Sequence, residues 1–153
     1  MDAITLLTDD HEKVSKLLKQ IDETTDRAVK TREELFTKLK RELTVHEIIE
    51  EEIFYPALKE HPRAREIVLE AYEEHNVVDM VMAEIEGVPY DDETWAAKFT
   101  VMMENIEHHV EEEETEMFKQ ARQVFDRAEL EQLGERMAAR KETAMQEQLA
   151  QAG

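Results

Sequence analysis

The sequence predicts an all-α protein, an antiparallel up-down four-helix bundle with a short C-terminal fifth helix. Glycine and proline number only three each among 153 residues, while alanine, glutamate, leucine and methionine are plentiful. This composition favours long helices and leaves few turn-forming residues for a β fold. The hydrophobic fraction of 41% supplies a packed core, and the charged fraction of 37% suits helices with one buried face and one wet face.

Sparse turn signals divide the chain into helices. The regular spacing of apolar residues is interrupted over residues 22–32. His61-Pro62 separates two apolar stretches, and its proline suits the first turn of a helix. Residues 87–92 read as a loop that ends in an Asp N-cap, and a last lapse covers residues 124–128. The predicted helices cover residues 2–25, 30–59, 62–86, 92–121 and 127–147, with fraying beyond.

Four long helices with short connections imply an up-down-up-down order. Because no repeat array or low-complexity linker interrupts the chain, we expect residues 1–153 to form a single domain. Its bundle core would span about 2–121 and its helical tail about 127–147. The tail is amphipathic in places, and we expect it to fold back on the bundle rather than pair with another chain.

The charge pattern excludes several classes of partner. A formal net charge of −19 opposes binding to nucleic acid or to an anionic membrane surface. No run of about 20 apolar residues could span a bilayer. Residues 1–10 lack the basic and apolar regions of a secretory signal, so we expect a cytoplasmic protein. Without cysteine there is no disulfide, thiolate metal site or cysteine nucleophile.

Each long helix carries one apolar stripe at alternating steps of three and four residues, and each stripe is interrupted by histidine. The interruptions are His11 in the first helix, His46 and Glu50 in the second, His75 in the third, and His109 and Glu113 in the fourth. A buried carboxylate is costly without a charge partner or a metal ion. A histidine and a glutamate four residues apart share one helix face, so each pair can offer a nitrogen and an oxygen to one ion or to two neighbouring ions.

These six side chains are predicted to lie at similar depth. Counted from one end of an up-down bundle, they fall about nine to thirteen residues in, or roughly 14 to 20 Å at about 1.5 Å per residue. They could therefore converge on one layer and bind metal. Imidazole and carboxylate together suit iron, manganese or zinc, and carboxylates projecting into a bundle core can bridge two metals.

The same residues resemble the hemerythrin-like family, the HHE cation-binding domains. The family's Asp-His pair resembles Asp10-His11, and its Glu-His pair resembles Glu74-His75. Its His-x-x-x-Glu-Glu signature, followed by an apolar pair and proline, matches His46, Glu50, Glu51, Phe54, Tyr55 and Pro56. A second copy matches His109, Glu113, Glu114, Met117 and Phe118, with Lys119 where the first copy has proline. The resemblance covers nearly all of residues 3–119.

This resemblance implies a four-helix bundle that holds two iron ions in an oxo- or hydroxo-bridged centre, with manganese or zinc as less favoured metals. One iron would take His11 and His46, the other His75 and His109, and Glu50 and Glu113 would bridge both. The implied partner is a small molecule: oxygen, peroxide or nitric oxide.

The sequence departs from the oxygen-carrying members, which supply five histidines, two of them four residues apart in the third helix. Here the fifth position would fall at Ala71 or Asp79. Water, Asp79 or Tyr72 could fill the vacant position, although Tyr72 is more simply a half-buried packing residue. Glu47, which directly follows His46, could also contact the metal if helix two is rotated toward it. We expect His108 and His61 to lie at the surface.

Three functions remain open at this point. The chain could be a di-iron protein that binds, senses or reacts with oxygen, peroxide or nitric oxide. It could be a peroxide-disproportionating oxidoreductase, although no acid–base residue beyond the ligands is evident and catalytic residues stay unassigned. It could also be a metal-free helical interaction module. Whether it is an enzyme is left undecided.

Overall fold

The computed structural model describes residues 1–152, which form a bundle of four long helices with a fifth helix packed on its side. Helix α1 covers Ala3–Asp22. Helix α2 covers residues 29–59, as Val29–Ile49, a π-helical turn Glu50–Phe54 and Tyr55–Lys59. Helix α3 covers Arg65–Glu86, after a 3-10 turn at Pro62–Ala64. Helix α4 covers residues 93–124, as Glu93–Glu112, a π-helical turn Glu113–Met117 and Phe118–Val124. Helix α5 covers Arg127–Ala152.

Two aspartates begin helices as N-caps. The Asp2 carboxylate accepts the Thr5 amide at 2.8 Å, and the Asp92 carboxylate accepts the Thr94 amide at the same distance. The predicted Asp cap after the 87–92 loop is thus confirmed. Side-chain oxygens at these positions satisfy amides that lack a partner within the helix.

Some predicted helix ends were wrong. Helix α1 stops at Asp22 rather than near residue 25, and α4 continues to Val124 rather than ending at 121. Helix α5 reaches Ala152, beyond the predicted end at 147. Its last turns contain no glycine or proline and are rich in alanine, glutamine and glutamate, so nothing local stops the helix.

The tail folds back on the bundle, as expected, and α5 packs against α1 and α2. Gly134 of α5 lies against the N-terminal backbone so closely that a Cβ atom there would sit 2.2 Å from the Met1 carbonyl oxygen. Only glycine permits this approach of two backbones. Arg140 adds an ion pair from α5 to Glu52 of α2, at 2.9 Å.

Two apolar clusters fill the bundle and leave a polar layer between them. One cluster includes Leu7, Phe54 and Phe118, together with Met137 from α5. The other includes Leu39, Phe99 and Trp95, and lies toward the opposite end of the bundle. The histidines and glutamates that interrupt the predicted stripes occupy the layer between them. Among the described residues, no helix is both long and apolar enough to cross a membrane.

The two π-helical turns begin at Glu50 and at Glu113, the two glutamates of the stripes. A π turn is wider than an α turn, so it rotates the residues that follow around the helix axis. In α2 this rotation buries Tyr55 and Leu58 completely. Ala57, which lies seven residues after Glu50 and would continue the regular apolar stripe, is only half-buried. Regular α-helical spacing could not have predicted this change of register.

Candidate metal centre

The structure brings all six predicted side chains together. They form two groups whose nitrogen and oxygen atoms lie close enough to hold a metal ion, His11, His46, Glu50 and Glu113 in one and His75, His109, Glu50 and Glu113 in the other. The Glu50 Oε1 atom lies 3.2 Å from His46 Nε2 and 3.1 Å from His75 Nε2. Each glutamate therefore belongs to both groups.

The second glutamate has the same relationship to the other two histidines. Glu113 Oε1 lies 3.0 Å from His11 Nε2, and Glu113 Oε2 lies 3.3 Å from His109 Nε2. Metal–ligand bonds of about 2.1 Å at right angles place neighbouring donor atoms about 3 Å apart. The donor atoms of this layer are thus spaced as ligands of bound ions would be.

Burial and unmet hydrogen bonding also fit a cation. Glu50 is 0% exposed and Glu113 is 1% exposed. Both carboxylate oxygens of Glu50 and the Nε2 atom of His46 are buried without a hydrogen-bond partner. A buried polar atom that lacks a partner is costly, and a buried charge more so. A cation held between the two groups would satisfy all three atoms.

An outer ring of carboxylates holds the opposite nitrogen of each histidine. The Nδ1 atoms of His46 and His75 lie 3.0 and 2.9 Å from carboxylate oxygens, and those of His11 and His109 lie 2.7 Å from theirs. The partners, in the same order, are Asp10, Glu51, Glu114 and Glu74. A carboxylate accepts, so each Nδ1 carries the proton and donates, which turns Nε2 toward the centre.

The ring passes from each helix to the next. Asp10 of α1 holds the histidine of α2, and Glu51 of α2 holds that of α3. Glu74 of α3 holds the histidine of α4, and Glu114 of α4 returns to that of α1. Each outer carboxylate is also the sequence neighbour of an inner residue. These four partners were not identified from sequence. The acidic residue beside each inner residue was the available signal, but adjacency does not show which histidine it reaches.

The carboxylates govern the protonation of the histidines. Burial lowers the pKa of His75, but its contacts with Glu50 and Glu51 outweigh burial and raise it to about 10. Burial also lowers the pKa of His109, but the negative charge of Glu113 outweighs burial, and with the other contacts of His109 it raises that pKa to about 11. Burial raises the pKa of Glu113, but His109 and its other partners lower it well below the usual range. Without metal, protons therefore occupy the Nε2 atoms of His75 and His109.

Helix α5 reaches the outer ring through one lysine. Lys141 donates a hydrogen bond to the Oδ1 atom of Asp10, whose other oxygen holds His46. Burial alone raises the pKa of Asp10, but His46 and Lys141 together lower it. The tail thereby keeps Asp10 charged and able to orient His46.

Tyr55 is the inner residue that sequence reasoning missed. Its buried hydroxyl donates a hydrogen bond to Glu113 and lies 3.3 Å from His75 Nε2 and 3.4 Å from His109 Nε2. Burial, followed by the charges of Glu113 and Glu50, raises its pKa well above the usual range. Tyr55 was read as one of the apolar pair of the signature. The π turn rotates it toward the second group.

The other candidates lie away from the centre. The Tyr72 hydroxyl donates to the Glu51 backbone carbonyl at 3.4 Å, and Asp79 is exposed. His108 is exposed, as expected, whereas His61 is half-buried against Phe125. These positions argue against Tyr72 or Asp79 at the vacant ligand position, because the Tyr72 hydroxyl is bonded to a backbone carbonyl and Asp79 is exposed.

Glu47 lies nearer to the layer. It is half-buried and forms a further possible metal-holding group with Glu51 and His75. Burial is the main reason why the pKa of Glu47 rises to about 8, and the nearby negative charge of Asp79 adds to the effect. The side chain stands beside the histidine layer but outside the two inner groups.

The relationship of this chain to known proteins follows from its matches. The family model for the hemerythrin HHE cation binding domain matches residues 2–121. The chain belongs to the hemerythrin HHE cation-binding domain family. The solved structure of a hemerythrin HHE cation binding domain-containing protein from Mycobacterium kansasii is similar, with 30% sequence identity and a TM-score of 0.86. The match covers 96% of this chain and 89% of that chain. No curated protein matches.

Membership of the HHE family agrees with the chemistry of the layer. This HHE domain has histidine and glutamate groups able to hold a metal ion, in a bundle whose fold its relative shares. The family model ends at residue 121, so helix α5 with Lys141 lies beyond the matched residues, whereas its partner Asp10 lies within them.

Proposed function

We propose that this HHE domain binds two iron ions and binds, senses or reacts with oxygen, peroxide or nitric oxide. The observation that carries the proposal is the pair of donor groups that share two fully buried glutamates. His11 and His46 would hold one iron, His75 and His109 the other, and Glu50 and Glu113 would bridge them. The mixture of imidazole and carboxylate donors suits iron, but manganese and zinc accept the same donors, so the donor set alone does not exclude them.

Tyr55 supplies the position that a fifth histidine would otherwise fill. Its oxygen lies within 3.4 Å of both histidines of the second group and bonds to the shared Glu113. That spacing matches neighbouring ligands of one ion. We assign Tyr55 as a ligand of the second iron, with its hydroxyl proton lost when the metal binds.

The bound ions would supply redox chemistry and open positions for a small molecule. The protein's own residues orient the four imidazoles through the outer carboxylates and exclude bulk water by burying the layer between two apolar clusters.

A second candidate function is peroxide disproportionation. The observation that favours it is the tyrosine oxygen in the donor set, because a hard anionic donor stabilises ferric iron more than ferrous iron. This preference opposes reversible oxygen carriage, which needs stable ferrous iron, and leaves ferric iron as the state that meets peroxide. Sustained oxygen release from peroxide would support this function, whereas stable ligand binding without turnover would support the binding or sensing function.

Metal analysis of freshly purified protein, with a visible spectrum of the same sample, tests the proposal. We expect about two irons per chain and near-ultraviolet charge-transfer bands. His46→Ala and Glu50→Ala should abolish metal binding, while His61→Ala, a histidine outside the layer, should retain it. If the protein stays metal-free and colourless after anaerobic ferrous loading, the proposal is wrong and the metal-free helical interaction module is the remaining hypothesis. Full occupancy by a different metal would overturn the assignment of iron but not the assignment of a metal centre.

A further inference from the structure

A small cavity lies against the histidine layer. Its volume is about 20 Å³, which holds one water-sized molecule. All four histidines line it, and apart from them and Glu47 its lining is aliphatic. The aliphatic residues are Val14, Leu43, Val78, Ile106 and Val110. A small molecule in this cavity would touch the imidazoles of both donor groups.

A groove on the surface between α1 and α4 leads to the same place. It has a volume of about 230 Å³, and its outer part includes Ser15, Glu107, Glu111, Glu114 and Thr115. Four residues line both this groove and the inner cavity, namely His11, Val14, Ile106 and Val110. The partition between surface and centre on this side is therefore one layer of side chains, three of them aliphatic.

A second groove between α2 and α3 approaches from another side. It has a volume of about 290 Å³ and shares only Leu43 and Glu47 with the inner cavity. Charged side chains line this groove, among them Glu47, Asp79 and Lys40, and Lys40 is paired with Glu86 at 2.8 Å. A molecule passing here must separate hydrogen-bonded polar groups. Between α1 and α4 the shared partition consists of His11 and three aliphatic side chains, of which Val14 and Ile106 are buried and Val110 is half-buried.

We propose that the α1–α4 groove is the access route to the metal centre, with Val14, Ile106 and Val110 as a gate that admits small neutral molecules. The inference rests on the proposed function for its ligand, a neutral molecule of two heavy atoms such as oxygen, nitric oxide or hydrogen peroxide. The gate selects by size, because the inner cavity of about 20 Å³ favours the smallest guests. The groove also disfavours anions, because three glutamates line its rim and the formal net charge of the chain is −19.

Val110 is the residue to change, since it is half-buried and can accept a new side chain without displacing the core. Val110→Phe narrows the gate and Val110→Ala widens it. Thr44→Phe is the matched control, because Thr44 lines the α2–α3 groove and not the inner cavity. Stopped-flow absorbance of the iron-loaded protein would follow its reaction with hydrogen peroxide and with the bulkier tert-butyl hydroperoxide.

We expect Val110→Phe to slow both reactions by about tenfold, an added barrier of about 1.4 kcal/mol. Val110→Ala should speed the reaction of the bulkier peroxide more than that of hydrogen peroxide. Iron content and the resting spectrum should stay unchanged, and Thr44→Phe should react like the unmodified protein. Slowing by Thr44→Phe together with normal rates in Val110→Phe would overturn the proposed route.

A structural measurement tests the route without any reaction. Crystals of the protein held under xenon gas should show xenon in the α1–α4 groove beside Val14 and Val110. In Val110→Phe crystals that xenon site should be lost or displaced. Xenon found only in the α2–α3 groove would contradict the route. Because xenon needs no iron, this result stands even if metal analysis rejects the proposed function.

Discussion

The Oε1 atom of Glu74 lies 2.7 Å from the Nδ1 atom of His109, across the interface between α3 and α4. Glu74 directly precedes His75, which belongs to the same donor group as His109. One turn of α3 thus supplies one histidine to that group and orients the other. A carboxylate from one helix holds the histidine of the next at each interface of the ring, although in α2 and α4 that carboxylate follows a shared glutamate instead of preceding a histidine. The candidate ligands are thus oriented by contacts between helices.

Removing the charge of Glu74 should weaken metal binding without unfolding the bundle. In Glu74→Gln the side chain at position 74 no longer accepts the Nδ1 proton of His109 as a carboxylate, so His109 is less well oriented and less basic. We expect metal affinity to fall by about 10- to 100-fold. Competition with a chelator of known affinity measures the change. Glu73→Gln, an exposed neighbour on the same helix, is the control and should bind as the unmodified protein does. Equal affinity in the two variants would show that the outer carboxylate does not support the site.

Two adjacent histidines of α4 should behave differently. His109 is buried in the layer, whereas His108 is 69% exposed. We expect His109→Ala to abolish metal binding, as His46→Ala does, because only one imidazole would remain in its group, while His108→Ala retains both metals. Metal analysis after gel filtration makes the comparison. Full metal content in His109→Ala would remove this histidine from the ligand set.

Tyr55→Phe should change the spectrum of the iron-loaded protein. If the Tyr55 oxygen binds ferric iron, its loss removes a phenolate-to-iron charge-transfer band in the visible region and leaves the near-ultraviolet bands. Tyr72→Phe is the matched control, since the Tyr72 hydroxyl reaches only a backbone carbonyl. Resonance Raman spectra would identify phenolate vibrations in the unmodified protein. Their persistence in Tyr55→Phe would exclude Tyr55 as a ligand.

The metal-free protein should lose stability as pH rises above neutral. The pKa values of His75 and His109 are raised from an ordinary value near 6.5 to about 10 and about 11. Between pH 6.5 and 10 the folded state therefore binds more protons than the unfolded state. Their stabilising contribution is complete below about pH 6.5 and is lost as pH rises toward 10, at about 1–3 kcal/mol per pH unit.

Urea unfolding of the metal-free protein at pH 6, 8 and 9 measures this slope. Glu113 acts in the opposite direction, because its lowered pKa contributes stability above about pH 4.5 that is lost in more acidic solution. Iron-loaded protein should lack the alkaline loss, since metal replaces the protons and its binding strengthens as they leave. A flat or rising profile for the metal-free protein would contradict the assigned histidine charges.

Gly134→Ala should destabilise the docking of α5. A Cβ atom at this position would lie 2.2 to 2.8 Å from backbone atoms of residues 1–3, and backbone cannot move aside cheaply. We expect a loss of about 1–3 kcal/mol in the free energy of unfolding. Gly87→Ala is the control, because its Cβ would meet its nearest neighbour at 3.6 Å, an ordinary contact. Thermal unfolding of both variants tests the prediction, and equal melting temperatures would contradict it.

The sequence by itself determined the helices and the inner six residues of the layer. Apolar residues at steps of three and four predict a buried face, and a histidine or glutamate within such a face stands out because burying it is costly. Equal depth along antiparallel helices then follows from the rise per residue. For His11, His46, Glu50, His75, His109 and Glu113, local spacing was therefore sufficient to predict that they meet.

Only the tertiary structure decided the remainder. Tyr55 faces the centre because a π turn changes the register of α2, and a regular helical period carries no sign of that turn. The pairing of Glu74 with His109, and of Lys141 with Asp10, depends on which helix faces which and on how each is rotated. Such contacts join residues distant in sequence, so their partners follow from packing and not from local pattern.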